Sequence, residues 1–188
     1  MGFCLYNNAS VAARTALANG VSRVLIVDWD VHHGNGTQAI FYDDPRVAYF
    51  SSHRSPFYPG TGDADETGTG AGLGTTHNVP FSIDTPREEQ IARITHELTR
   101  FADNVRPELV ILSAGFDAHR DDPVGSLGWE QEDFTSLTEL TLQIANIHAG
   151  GRLVSLLEGG YNPGVLAGSV ERHIRALLAA DPACNVGN

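Results

Sequence analysis

Four stretches of this chain are apolar on both faces: 23–28 (RVLIVD), 46–51 (RVAYFS), 108–113 (ELVILS) and 152–157 (RLVSLL). A strand with no polar face has to be covered on both sides, which is the pattern of a parallel sheet flanked by helices. The intervening segments supply those helices. Residues 8–19 are rich in alanine and are closed by Gly20, and 36–43 form a short helix. A longer helix is predicted from Thr85 as N-cap, Pro86 as its first residue and Glu88 completing a capping box. Its apolar face, Ile91, Ile94, Leu98, Phe101 and Val105, keeps helical spacing up to Pro107. Further helices cover about 131–149, ended by Gly150–Gly151, and Pro163 to about Ala180. Residues 77–82 read as a short fifth strand after a polar, glycine-rich loop at 52–76. There is no repeat, low-complexity tract or linker, so the chain reads as one α/β domain. It opens on a loop and a helix, as a domain with a missing beginning would.

The 188 residues, 41% hydrophobic, suffice for a sizeable core. With Cys4 and Cys184 as its two cysteines, the chain has no disulfide framework, and a reducing, cytoplasmic setting is expected. No basic stretch precedes an apolar one at the N-terminus, and no apolar run approaches the roughly 20 residues of a membrane span. Net charge is −11, from 23 acidic and 12 basic residues. That excess argues against nucleic acid or an anionic membrane surface as partner. It suits a cationic substrate, and equally a soluble surface.

The three most apolar strands each run into an unusual polar motif: "DWDVHHGNG" after 23–28, "SAGFDAHRDD" after 108–113 and "EGGYNPG" after 152–157. Ligands of open α/β sheets bind beyond the carboxyl ends of the strands. Asp30, His32, Asp117 and Tyr161 can therefore converge at one edge. In extended backbone Asp28, Asp30 and His32 share one face, and Trp29, Val31 and His33 the other. Two carboxylates and an imidazole, a local pair plus a distant third, match a catalytic zinc site with open positions for water and substrate. The competing reading has these acids capping helices or pairing with Arg54 and Arg120. His33, off that face, is expected to be a hydrogen-bonded structural histidine. Asp28 lies deeper and needs either a monovalent cation or a network of donors. Tyr161, after Gly159 and Gly160, can donate to an oxyanion beside the metal. Phe57 and Tyr58 in "SPFYPGTGD" can form a slot for an aliphatic chain. The glycine-rich stretch near 68–76 misses the spacing of both nucleotide-binding motifs.

Taken together, "GFCLYNNASVAA", "VLIVDWDVHHGNGTQ", "SHRSPFYPGTGD", "SAGFDAHRDDPVGSL" and "LEGGYN" resemble the zinc-dependent histone deacetylase family. Its superfamily also holds acetylpolyamine amidohydrolases and acetoin-utilisation proteins, and "EGGY" is similar to its class II branch. The resemblance covers essentially the whole chain. It implies the three-layer α/β/α arginase/deacetylase fold and hydrolysis of the amide of acetylated lysine or a related N-acetyl amine. It implies that Asp30, His32 and Asp117 bind Zn2+ and that Tyr161 polarises the acetyl carbonyl. Gly2, Phe3, Tyr58 and Gly160 would line the acyl-lysine tunnel. Asp28, with the His32 backbone, Ser51 and Ser52, would hold K+.

The family also carries a tandem His-His a few residues before "GFC", one of which acts as general base. This sequence opens at Met1-Gly2, just after where that pair belongs, and no similar stretch occurs elsewhere in it. Residues 1–188 are therefore expected to be a partial deacetylase domain lacking its N-terminal strands and to be weakly active or inactive. Two other outcomes are carried forward. One is a non-catalytic zinc-binding remnant. The other is an arginase-like ureohydrolase with a two-manganese site, to which Asp117-Ala-His119 is superficially similar.

Overall fold

The computed structural model describes residues 4–179. Five strands form one parallel sheet in the order β3-β2-β1-β4-β5: β1 (Val24–Asp28), β2 (Val47–Arg54), β3 (Thr76–Phe81), β4 (Leu109–Ala114) and β5 (Leu153–Leu157). β1 is the central strand and all five of its residues are buried, as its unbroken apolar run requires. Its register sets Asp28 level with Ser51 of β2 and Ser113 of β4. The last residue of β4, Ala114, faces the last of β5, Leu157, so β1, β4 and β5 end together and the polar motifs that follow them share one edge.

Helices α1 (Asn8–Ala18) and α2 (Asn35–Phe41) cover one face, burying Ala9, Ala13 and Phe41 against Val24, Ile26, Tyr49 and Ile111. Helices α3 (Arg87–Val105) and α4 (Gln131–His148) cover the other, where Ile94, Leu98, Phe101, Phe134, Leu137 and Ile144 meet Leu25, Val27, Phe50, Val110 and Leu112. α5 (Pro163–Ala179) brings Leu166 and Val170 to the margin of that second core. This is the three-layer α/β/α arrangement.

Three local expectations are corrected. The capping box at Thr85 does not form: the cap position is Pro86 and no side chain caps the helix. Thr85 instead sits in a turn, its N–H on Ser82 O at 3.0 Å, and its carbonyl accepts from Gln90 Nε2 at 2.7 Å. A capping box does open α4, between Glu130 and Asp133. Finally, β2 runs on through Ser52, His53 and Arg54, which read as loop. β3 pairs along that extension, from Tyr49 opposite Thr76 to Arg54 opposite Phe81, so the polar residues enter the ladder. Pro80 is tolerated in β3 because β3 is the edge of the sheet.

Candidate metal centre

β1 ends at Asp28, and the chain bends through Trp29 to His33 before α2 begins. Trp29 and Val31 turn into the core beneath α3 and α4. His33 does not follow them: its ring lies 4.8 Å from that of His53 and 6.2 Å from that of Tyr49. Strict alternation fails there because extended backbone has already ended.

Asp30, His32 and Asp117 come together, each offering one ligand atom, with all three atoms within 4.8 Å of one another. Among the described residues this is the one group of histidine, cysteine and acidic side chains with such spacing. His32 Nδ1 lies 2.9 Å from Asp30 Oδ1 and 3.2 Å from Asp117 Oδ2. Asp117 is fully buried; its Oδ1 accepts from Val31 N at 2.9 Å, while its Oδ2 has no hydrogen-bond donor. The His32 Nδ1 hydrogen is already shared with Asp30. An orphaned carboxylate oxygen at this depth is costly unless a cation takes it.

The backbone leaves this room deliberately. A Cβ on Gly115 would stand 2.5 Å from Asp30 Oδ2, and one on Gly159 would stand 2.6 Å from the same atom. Gly159 N instead donates to Asp30 Oδ2 at 2.9 Å, and Phe116 N donates to Gly159 O at 2.7 Å. The third strand end is thus tied to the ligands of the other two.

Electrostatics give the same picture. Burial, then the Asp30 charge, raises the Asp117 carboxyl above its usual range. Burial pulls His32 down, but the carboxylates of Asp117 and Asp30 beside its ring outweigh it and carry the ring up to about 10. A proton on His32 thus supplies positive charge that the pair of carboxylates demands. The alternative of acids paired with arginine does not hold: Arg120 pairs with Glu130, and Arg54 donates to Gly125 O at 3.0 Å.

Asp28 is 2% exposed and accepts from Tyr49 OH at 3.0 Å and Asp30 N at 3.1 Å. Burial, and then the charges of Asp30 and Glu158, push its carboxyl well above the usual range. Ser51 and Ser52 are fully buried beside it in β2. Ser51 Oγ is bonded to His53 Nδ1 at 2.9 Å, and Ser52 Oγ has no partner.

Tyr161 is half-buried, and its N–H donates to Asp122 Oδ2 at 2.7 Å. Burial, with the charges of Asp117 and Asp30, raises its phenol to about 12. Gly160 precedes it at φ +145°, packed so that a Cβ would meet Leu166 Cδ1 at 2.7 Å. Phe57 stacks on His32 with centroids 5.2 Å apart and planes 21° from parallel, and Tyr58 meets the same ring edge-on at 6.2 Å. Phe57 is therefore committed to His32 and to the Arg54 guanidinium, 4.3 Å from its centroid. Tyr58 remains 58% exposed at the rim. Gly2 and Phe3 lie outside the described residues.

Sequence reasoning missed the polar web behind the site. His33 Nδ1 bonds Thr61 Oγ1 at 2.7 Å and its Nε2 bonds Gln38 Oε1 at 2.9 Å. Gln38 Oε1 also accepts from Asn78 Nδ2 at 2.8 Å, and Gln38 Nε2 donates to Glu66. The web pins the 55–66 loop to the sheet edge. Its members are ordinary polar residues on four separate segments, with no spacing to betray them.

No helix among the described residues is long and apolar enough to cross a membrane. The family model "Histone deacetylase domain" matches residues 1–177. Histone deacetylase 15 of Arabidopsis thaliana is 44% identical over 186 residues, covering 97% of this chain and 33% of that protein. Polyamine deacetylase HDAC10 of Homo sapiens is 45% identical over 189 residues, covering 97% of this chain and 28% of that protein. Among solved structures, the HDA15 HD domain superposes with a TM-score of 0.86 at 43% identity, over 95% of this chain and 50% of that one. The histone deacetylase Clr3 does so with 0.84 at 40% identity, over 95% and 31%. The chain thus spans about a third of the curated relatives it matches. With two strand ends of its parallel sheet assembling two carboxylates and an imidazole, and with the family model matching residues 1–177, the chain belongs to the histone deacetylase domain family.

Proposed function

We propose that this chain contributes to a zinc-dependent deacetylase that hydrolyses the amide of an acetylated lysine or a related N-acetyl amine. The observation that carries the reading is the buried trio Asp30, His32 and Asp117 with its orphaned Asp117 oxygen. Three protein ligands of this chemistry, with further positions open, are those of a catalytic rather than a structural zinc site. Asp30, His32 and Asp117 would hold a zinc ion there, which would supply Lewis acidity toward the acyl oxygen and a bound water of pKa roughly 7.

The chain's own residues do the rest. The Tyr161 phenol, held near 12, keeps its proton at neutral pH and so donates to the oxygen that becomes negative as the amide is attacked. Gly160 and the rim residue Tyr58 line the path of the aliphatic chain. Phe57 and Arg54 hold the Tyr58 loop against His32. Asp28, Ser51 and Ser52 would hold a potassium ion behind the site, which would offset the buried Asp28 charge. His32 serves as a ligand and both ring nitrogens of His33 are engaged, so neither accepts the proton of the attacking water.

The relatives' names cover both histone and polyamine deacetylation, and acetylated cations of either kind suit a chain of net charge −11. The ureohydrolase alternative is disfavoured by a single three-ligand group among the described residues and by His119, whose Nδ1 accepts from Asp121 N at 3.1 Å. The test is zinc stoichiometry together with turnover of acetyl-lysine and acetylpolyamine reporters. One zinc per chain, with turnover lost in Asp117→Ala and Tyr161→Phe, is expected. Two manganese ions per chain would refute the reading. Stoichiometric zinc with no turnover in any form of the protein would identify a binding remnant.

A further inference from the structure

Tyr161 follows two glycines, and the second, Gly160, sits at φ +145°. Glycine there sets no backbone direction of its own. The last fixed point before the tyrosine is Gly159, bonded to Asp30 and to Phe116. Without a further tether the main chain of Tyr161 would swing about Gly160.

Asp122 supplies that tether from the loop that follows the metal ligand Asp117. The residue is 8% exposed, and its two carboxylate oxygens take three backbone N–H groups. Oδ1 accepts from Val124 N and Gly125 N, each at 2.9 Å, which closes the turn of its own loop. Oδ2 accepts from Tyr161 N at 2.7 Å. A second strut joins the same loops, from Asn162 Nδ2 to Asp121 O at 2.8 Å. The loop itself is anchored to the metal ligand, since Ser126 N donates to Asp117 O at 2.7 Å. We infer that Asp122 is a positioning residue that fixes Tyr161 in register with the metal-ligand loop, acting through the Tyr161 amide. A carboxylate is needed because an amide side chain has one acceptor oxygen. Asparagine would serve the turn or the tyrosine, and set N–H against N–H at the other.

This inference rests on the assignment of Tyr161 under the proposed function, and its test separates the two. Asp122→Asn is expected to speed hydrogen exchange of the Tyr161 amide by about 10- to 100-fold, the size of a lost charge-assisted hydrogen bond. That measurement needs no turnover. In the zinc-loaded protein, kcat for an acetyl-lysine reporter should fall by about 10-fold or more with KM nearly unchanged. In a Tyr161→Phe background the same substitution should cost less than about 2-fold, because a residue acting through the phenol has nothing left to position. Additive losses, or an unchanged Tyr161 amide, would overturn the inference. Should Asp122→Asn not fold, Asn162→Ala loosens the same pair of loops. A smaller loss of kcat, about 2- to 5-fold and absent in the Tyr161→Phe background, supports the inference, and an additive loss overturns it. If Tyr161→Phe leaves turnover intact, the assignment of Tyr161 fails while the exchange measurement still decides the tether.

Discussion

His173 of α5 is a histidine whose titration should be felt by the whole fold. It is 5% exposed and lies between Thr138 of α4 and Ser155 of β5, at 2.7 Å and 2.8 Å. Thr138 Oγ1 spends its hydrogen on Phe134 O at 2.6 Å, so it accepts from His173 Nδ1. His173 Nε2 is then the acceptor for Ser155, which specifies the neutral ring. Burial lowers its pKa to about 4 from the ordinary 6.5. Above pH 6.5 the ring is neutral whether folded or unfolded and contributes no pH dependence. As pH falls, the unfolded chain takes the proton first, so stability drops between about 6.5 and 4 and levels below that. The full shift corresponds to roughly 3 kcal/mol at about 1.36 per unit; the Ser155 hydroxyl can turn to accept, which trims it to about 2–3 kcal/mol. That is roughly 4–12 °C in Tm for a domain of this size. Urea unfolding of the protein and of His173→Phe, at pH 7, 5.5 and 4, isolates the effect because other carboxylates cancel in the difference. The variant should be less stable by about 1–3 kcal/mol at pH 7, having lost two hydrogen bonds. The gap should close by about 2–3 kcal/mol at pH 4. A gap that stays constant with pH would refute the tautomer and the burial argument together.

Asp117→Asn removes a buried charge from the acid cluster, so the metal-free protein should melt a few degrees higher at pH 7, while zinc affinity by calorimetric titration falls by about 100-fold or more. Raised affinity or a lower metal-free Tm would contradict the site. Gly159→Ala puts a methyl 2.6 Å from Asp30 Oδ2 and should lose stoichiometric zinc while keeping most of its helix content by circular dichroism. Leu98→Ala empties a position 1% exposed between α3 and the sheet, costing about 2–5 kcal/mol in urea unfolding without changing zinc stoichiometry.

The sheet was legible because apolar runs such as VLIVD admit few solutions, and the strand ends marked the site because acids there have no structural use. What stayed hidden has common causes. The Thr85–Glu88 pattern is a capping signature, but the Thr85 N–H that Glu88 would have served donates instead to Ser82 O. Ser52, His53 and Arg54 carry no strand signal, and enter β2 because β3 and the 55–66 loop cover them. His33 departs from strand alternation where the strand ends, a boundary no side-chain period records. Asp122 is one acid among several in "HRDDP", and its role exists only because a segment 39 residues away returns to it.

The same returns govern the order in which such a molecule can assemble. Asp117 reaches Val31 across 86 residues of sequence, and Gly159 reaches Asp30 across 129. A nascent chain that has emitted the whole DWDVHHGNG motif, and even Asp117, still lacks the amide that seats Asp30. At the proposed zinc site, ion capture would therefore be a late event, gated by the slow closure of large loops. A pulse of metal during refolding would measure the fraction of chains in which β5 has docked, and a chain interrupted before Gly159 would carry every ligand and hold the ion poorly.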